Sequence, residues 1–190
     1  MSKKEKKLNT LFSYLRDSGF NQSLENIAFG IGVTKKTLFN RHKSRTYLEV
    51  EVVDYWRQCV IDRYGNRTLF TNNAVERLIF FIYELKKCKE SETHFFNREK
   101  ERIGFEPDVN EKDFHSVIQQ ILEEGKSEEL FSPQVNAYFW GHLLLFNIFF
   151  LILNDAKNIS VDFVVGMLSP LLTESGNEIL SSLDLERVLC

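Results

Sequence analysis

Lys35, Lys36, Thr37, Asn40, Arg41, His42 and Arg45 gather seven hydrogen-bonding side chains, most of them cationic, into eleven residues. Ammonium, guanidinium, hydroxyl and amide donors are the groups that phosphates and the edges of bases accept from, so this run points to recognition of a nucleic acid. The charge pattern agrees. From residue 1 to 45 ten basic side chains stand against three acidic ones, a net +7, whereas the remaining residues carry 14 basic and 24 acidic ones, a net −10. A basic segment on an acidic body either meets a polyanion or is a solvated basic tail, and charge alone leaves both readings open.

Other chemistries find little support. The sequence has no G-x-S-x-G, H-E-x-x-H, phosphate-binding glycine loop or C-x-x-C, and the Glu-x-x-His pair of di-iron bundles is absent. His94, His115 and His142 are too far apart in sequence to form a metal-ligand spacing, so neither a metal nor another cofactor is expected, and the chain is not read as an enzyme. Three cysteines, Cys59, Cys88 and Cys190, make an odd set that suits a reducing compartment. The charged start Met-Ser-Lys-Lys-Glu-Lys-Lys leads into no apolar signal core, and the greasy stretch from Ala137 to Leu153 is short for a membrane span and holds His142 and Asn147. A cytoplasmic protein with no membrane partner is expected.

The elements that would position the basic run are helices. Leu8, Leu11, Phe12 and Leu15 form an apolar stripe of helical period closed by Gly19. Ser23 suits the cap of a second helix with Leu24, Ile27 and Ala28 inward, Thr34 the cap of a third, and Ser44 the cap of a long fourth. Ala28 and Gly32, four residues apart and flanked by Ile27, Ile31, Val33 and Leu38, have the spacing with which a helix-turn-helix crosses two short helices. Its second helix would carry Lys35, Lys36, Thr37 and Asn40 outward and Leu38 inward. Arg41 and His42 stand where the chain leaves it, and Arg45 opens helix four near phosphate oxygens. Lys3, Lys4, Lys6 and Lys7 read either as a further phosphate or minor-groove contact or as a mobile arm.

Further along, the periodicity predicts helices over 72–89, 94–103 and from a cap at Asn110 to about Gly125. Ser132-Pro133 predicts the start of one reaching about Leu153, and Ser160 the start of a last one to about Leu183, kinked at Pro170. That makes about nine helices, no strand pattern and an all-α fold. The helix to Leu153 is apolar on nearly every face, which asks either for a central place in its own domain or for a second subunit. A homodimer is expected.

The run Gly19-Phe20, Ser23-Leu24-Glu25-Asn26-Ile27-Ala28, then Gly32 through His42, then Ser44-Arg45 and Leu48, resembles the N-terminal domain of the TetR family of transcriptional regulators. The resemblance covers about the first fifty residues. It implies a DNA-binding domain over 1–47 and a helical effector-binding and dimerisation domain over 48–190, acting as a homodimeric repressor released from a palindromic double-stranded operator by a small molecule. It assigns the DNA contacts to Ser23, Thr34, Lys35, Lys36, Thr37, Phe39, Asn40, Arg41, His42 and Arg45. For a small apolar or aromatic effector it points to Phe81, Phe95, Phe114 and Tyr138, although aromatics at helical spacing are more often core than pocket, and for dimerisation to Trp140, Leu144, Phe163 and Met167 on the last two long helices. The sequence departs from the family at Phe39, where a tyrosine usually reaches a phosphate. It departs again at His42, which stands in an aromatic position and is open between packing and phosphate contact, and at Lys36, where a small residue is usual. The alternative reading is a ligand-independent helical adapter that keeps the scaffold without DNA binding.

Overall fold

The computed structural model describes residues 3–103, 113–154 and 160–189. They form eleven α-helices: α1 Lys3–Ser18, α2 Leu24–Gly30, α3 Lys35–His42, α4 Arg45–Arg67, α5 Ala74–Ser91, α6 Thr93–Ile103, α7 Phe114–Ser127, α8 Ala137–Asn154, α9 Val161–Leu168, α10 Glu174–Ser182 and α11 Leu185–Leu189. Short 3₁₀ turns follow α4 and α9. Among the described residues the only extended pairing is an isolated antiparallel bridge between Phe131 and Leu172, so the fold is all-α as the periodicity predicts.

The chain packs into two compact units, Met1–Cys59 with Glu92–Glu106, and Val60–Ser91 with Pro107–Cys190. The core of the first is built on Leu11 and Leu15 of α1, Ile27 and Ala28 of α2, Leu38 of α3, Leu48, Val52 and Trp56 of α4, and Phe95 and Phe96 of α6. Phe95 is its hub, with ring centroids 5.0 Å from Phe12, 5.0 Å from Phe20 and 6.0 Å from Trp56. Buried polar groups tie α6 to α4. The Arg57 guanidinium donates twice to Glu99 at 2.9 Å, and the Trp56 indole donates to Glu92 at 2.5 Å. A buried guanidinium is tolerated because its planar fork finds a carboxylate on both prongs.

In the second unit α5, α7 and α8 pack around Leu78, Phe81, Ile82, Phe114, Ile118, Leu122, Leu144, Ile148 and Phe149. Glu128, just past α7, accepts from the first backbone amide of α5 at 2.7 Å and pairs with Arg77, so one carboxylate serves both a helix N-terminus and an ion pair. Two glycines permit close approach here. A Cβ at Gly125 would lie 2.2 Å from the Phe131 ring, and one at Gly176 2.2 Å from the Leu130 carbonyl oxygen.

Three boundaries differ from the sequence expectation. The helix expected from Ser132-Pro133 begins at Ala137: Pro133 lies in a turn, and Asn136 caps α8 by accepting from the Phe139 amide at 3.0 Å. Asp113 caps α7, accepting from the Ser116 amide at 2.6 Å, and Asn110 lies outside the described residues. The expected kink at Pro170 is a full break. Proline removes a donor, Leu172 turns extended to bridge Phe131, and Thr173 caps a new helix by accepting from the Gly176 amide, so one expected helix becomes α9 and α10, and the short α11 follows beyond its expected end. No helix among the described residues is long and apolar enough to cross a membrane.

Candidate nucleic-acid interface

Local hydrogen bonds shape α2, the turn and α3. Ser23 Oγ accepts from the Asn26 amide at 3.1 Å, and Thr34 Oγ1 accepts from the Thr37 amide at 3.1 Å, so both caps fall where the sequence places them. Gly32 adopts a left-handed backbone with φ +70°, which a side chain would strain, and the Val33 amide donates back to the Ala28 carbonyl at 2.9 Å. Ile27, Ala28 and Leu38 are buried and hold the two helices together. One contributor goes unread in the sequence: Tyr14 of α1 lies across α2, its hydroxyl donating to the Asn26 carbonyl, and a Cβ at Gly30 would fall 2.1 Å from its ring. A glycine at the end of α2 is its sequence signal.

This packing leaves one side of α3 in water. Lys35, Lys36, Thr37, Phe39 and Asn40 are exposed and Arg41 is half-buried. Lys35 pairs with Glu25 of α2, and its ammonium holds the Glu25 carboxyl below the usual carboxylate range. The Thr37 hydroxyl shares a 2.8 Å hydrogen bond with the Thr34 hydroxyl. Ser23 uses its oxygen as a cap acceptor, which leaves its own hydroxyl proton to donate elsewhere.

Two residues assigned to DNA contact are engaged by the chain itself. His42 is buried at the end of α3 with Nδ1 2.8 Å from a Glu51 carboxylate oxygen, so of its two open roles it takes packing. The position faces α4, and an imidazole can be buried there because a carboxylate meets it. Arg45 donates to the Phe20 and Gln22 carbonyls and, at 2.7 Å, to Glu49, so its guanidinium fastens the α1–α2 connection to α4. Lys3 opens α1, and Lys6 and Lys7 are exposed on that helix, so these residues belong to a helix and not to an arm.

The four aromatics assigned to an effector are not brought together. Phe81 and Phe114 are fully buried against each other, with ring centroids 5.9 Å apart. Phe95 belongs to the core of the first unit. Tyr138 is 52% exposed, its ring edge-on to His115 and His142. Those two histidines stack face to face with centroids 3.6 Å apart, and desolvation, with His115 alongside, lowers the pKa of His142. No group of three His, Cys, Asp or Glu side chains among the described residues could hold a metal ion.

Of the residues assigned to dimerisation, Leu144 is wholly buried inside its own chain and is unavailable to a partner. Trp140 and Met167 are half-buried and Phe163 is exposed. Phe139, Leu143, Phe146 and Phe150, part of the all-round apolar character that the sequence predicts for this helix, are exposed along α8. Their spacing of four, three and four residues lays them on one side of the helix, opposite the side that packs into the unit.

No protein-family model matches the chain, and no curated protein matches its sequence. Solved structures do match. One is RolR in complex with resorcinol, with a TM-score of 0.73 and 14% identity over 93% of this chain and 92% of that one. A second is CprB, a TetR-family protein from S. coelicolor A3(2), with a TM-score of 0.65 and 11% identity over 95% and 96%. A third is the transcriptional regulator FadR from Bacillus subtilis in complex with stearoyl-CoA, with a TM-score of 0.63 and 16% identity over 95% and 98%. At such identities the likeness is one of fold: the chain has the fold of TetR-type transcriptional regulators over nearly its whole length.

Proposed function

We propose that this chain, built on the fold of TetR-type regulators, is a homodimeric DNA-binding transcriptional regulator and not an enzyme. It acts in the cytoplasm as a repressor that a small apolar or aromatic molecule releases from a palindromic operator. The observation that carries the reading is α3: a helix capped by Thr34, anchored by buried Leu38, and presenting Lys35, Lys36, Thr37, Phe39 and Asn40 to solvent. Such a helix enters the major groove with its N-terminal residues at base edges while flanking residues meet phosphates. On this reading residues 1–47 carry the DNA contacts, with Ser23, Thr34 and Arg41 at phosphates, and residues 48–190 carry effector binding and dimerisation.

The exposed apolar side of α8 supports the dimer, because a stripe of this size is stable in water only when covered. A two-fold axis through it pairs two copies of α3, and half-sites about 34 to 36 Å apart then place both in successive major grooves. The effector class rests on the aromatic content of the second unit and on the company this fold keeps, which includes structures bound to resorcinol and to stearoyl-CoA. Release follows if the effector binds better to a dimer whose α3 spacing no longer fits the operator.

Selection of bound duplexes from a random pool tests the reading, run in parallel with a variant carrying Lys35→Ala and Lys36→Ala. One enriched inverted repeat, which the double variant fails to retrieve, is the expected result. An unenriched pool after repeated rounds contradicts it and leaves a helical adapter.

A further inference from the structure

The ring of Phe39 stands at the surface, outside the core of the fold. It is 53% exposed on α3, although the same helix buries Leu38 and His42 at 3% or less. Without a hydroxyl it offers a phosphate oxygen no hydrogen bond, and pressing it against an anion would strip water from the charge with nothing in return. Its surroundings are also wrong for an apolar protein partner. Lys35 and Lys36 lie four and three residues before it, on the helical neighbours of its own side, Lys43 lies four after, and all three are exposed. Covering the ring with protein would desolvate those ammonium groups, whereas a nucleic acid would neutralise them.

A duplex offers a ring framed by cations one apolar feature on the floor of the major groove. The edges of adenine, guanine and cytosine present only hydrogen-bond donors and acceptors there, and thymine adds its C5 methyl group. We infer that Phe39 is a specificity-determining residue that packs on a thymine methyl in each half-site, while Lys35 and Lys36 hold the helix to the groove by charge. The inference rests on the DNA-binding reading and adds to it one base that the operator must contain. Burying a group the size of a methyl against an aromatic ring corresponds to roughly a fourfold gain in affinity per half-site, or about fifteenfold for a two-fold symmetric site.

The experiment uses the full chain and the inverted repeat recovered by selection, with deoxyuridine substituted for thymidine one position at a time. Uracil pairs as thymine does and lacks only the methyl. The wild type is expected to lose roughly fourfold at one position in each half-site, Phe39→Ala to bind the thymine and uracil duplexes equally there, and Phe39→Tyr, which keeps the ring, to retain the discrimination. Because Phe39 is exposed, both variants should fold, which circular dichroism verifies. A repeat that binds tightly but shows no position where Phe39→Ala abolishes a thymine–uracil difference overturns this inference and leaves the DNA-binding reading standing. Failure to recover any repeat overturns both.

Discussion

At the scale of single residues, α3 does not offer its cations equally. Lys36 points into water from the middle of the exposed side, whereas Lys35 is engaged by the Glu25 carboxylate. On the proposed reading a carboxylate beside α3 repels an approaching phosphate backbone, so Glu25 would both hold Lys35 and weaken the field that draws DNA in. Glu25→Gln is therefore expected to tighten operator binding a few-fold at low salt, with the gain fading at high salt as exposed charges are screened. Titration of a labelled operator at two ionic strengths reads this directly, and an unchanged or weaker affinity would show that Glu25 places Lys35 usefully. Arg45 and His42 belong to the opposite category. Their polar groups are engaged by the chain itself, so substituting them should perturb stability and binding together.

At the scale of elements, what the sequence made legible was local and what it hid was tertiary. The caps at Ser23, Thr34, Ser44 and Ser160 could be read because a cap is made within three residues. His42 could not be placed, because its partner Glu51 lies nine residues on and is brought to it only by the crossing of α3 and α4. Pro133 resembled a helix start, yet the chain spends residues 130–135 aligning Leu130 and Phe131 with 171–173, leaving Asn136 to cap α8. Pro170 marked a disruption correctly but not its size, since the same pairing draws Leu172 out of helical geometry. The pairing also yields a stability prediction. Gly176→Ala sets a Cβ against the Leu130 backbone oxygen, which cannot swing aside, and should destabilise the fold by about 1–3 kcal/mol or more. Gly65→Ala, at a helical position with open space around it, should be neutral or stabilising by up to about 1 kcal/mol. Urea unfolding of both variants checks the contrast, and equal effects would contradict the packing at Gly176.

At the scale of the whole molecule, the proposed function needs two copies of α3, and the side of α8 that carries Phe139, Leu143, Phe146 and Phe150 is where the second copy should attach. Replacing two aromatic side chains in each copy, four across a two-fold contact, should cost more than a modest dimer can lose. Phe139→Glu combined with Phe146→Glu is thus expected to convert a species of about twice 22.3 kDa into one near 22.3 kDa, as sedimentation would show, with helix content unchanged. A wild type that sediments as a monomer would remove the dimer, and a double variant that stays dimeric would move the interface elsewhere.

The central claim is that α3 meets DNA through its exposed basic side. Binding that rests on phosphate contacts weakens as a power of salt concentration, and each cation removed lowers that power by about one. The direct measurement is the affinity of the wild type and of Lys36→Ala for the selected operator across a salt series. The expected result is a steep fall for the wild type and a slope shallower by about one for Lys36→Ala. Identical slopes for the two proteins, or binding that ignores salt, would contradict the account.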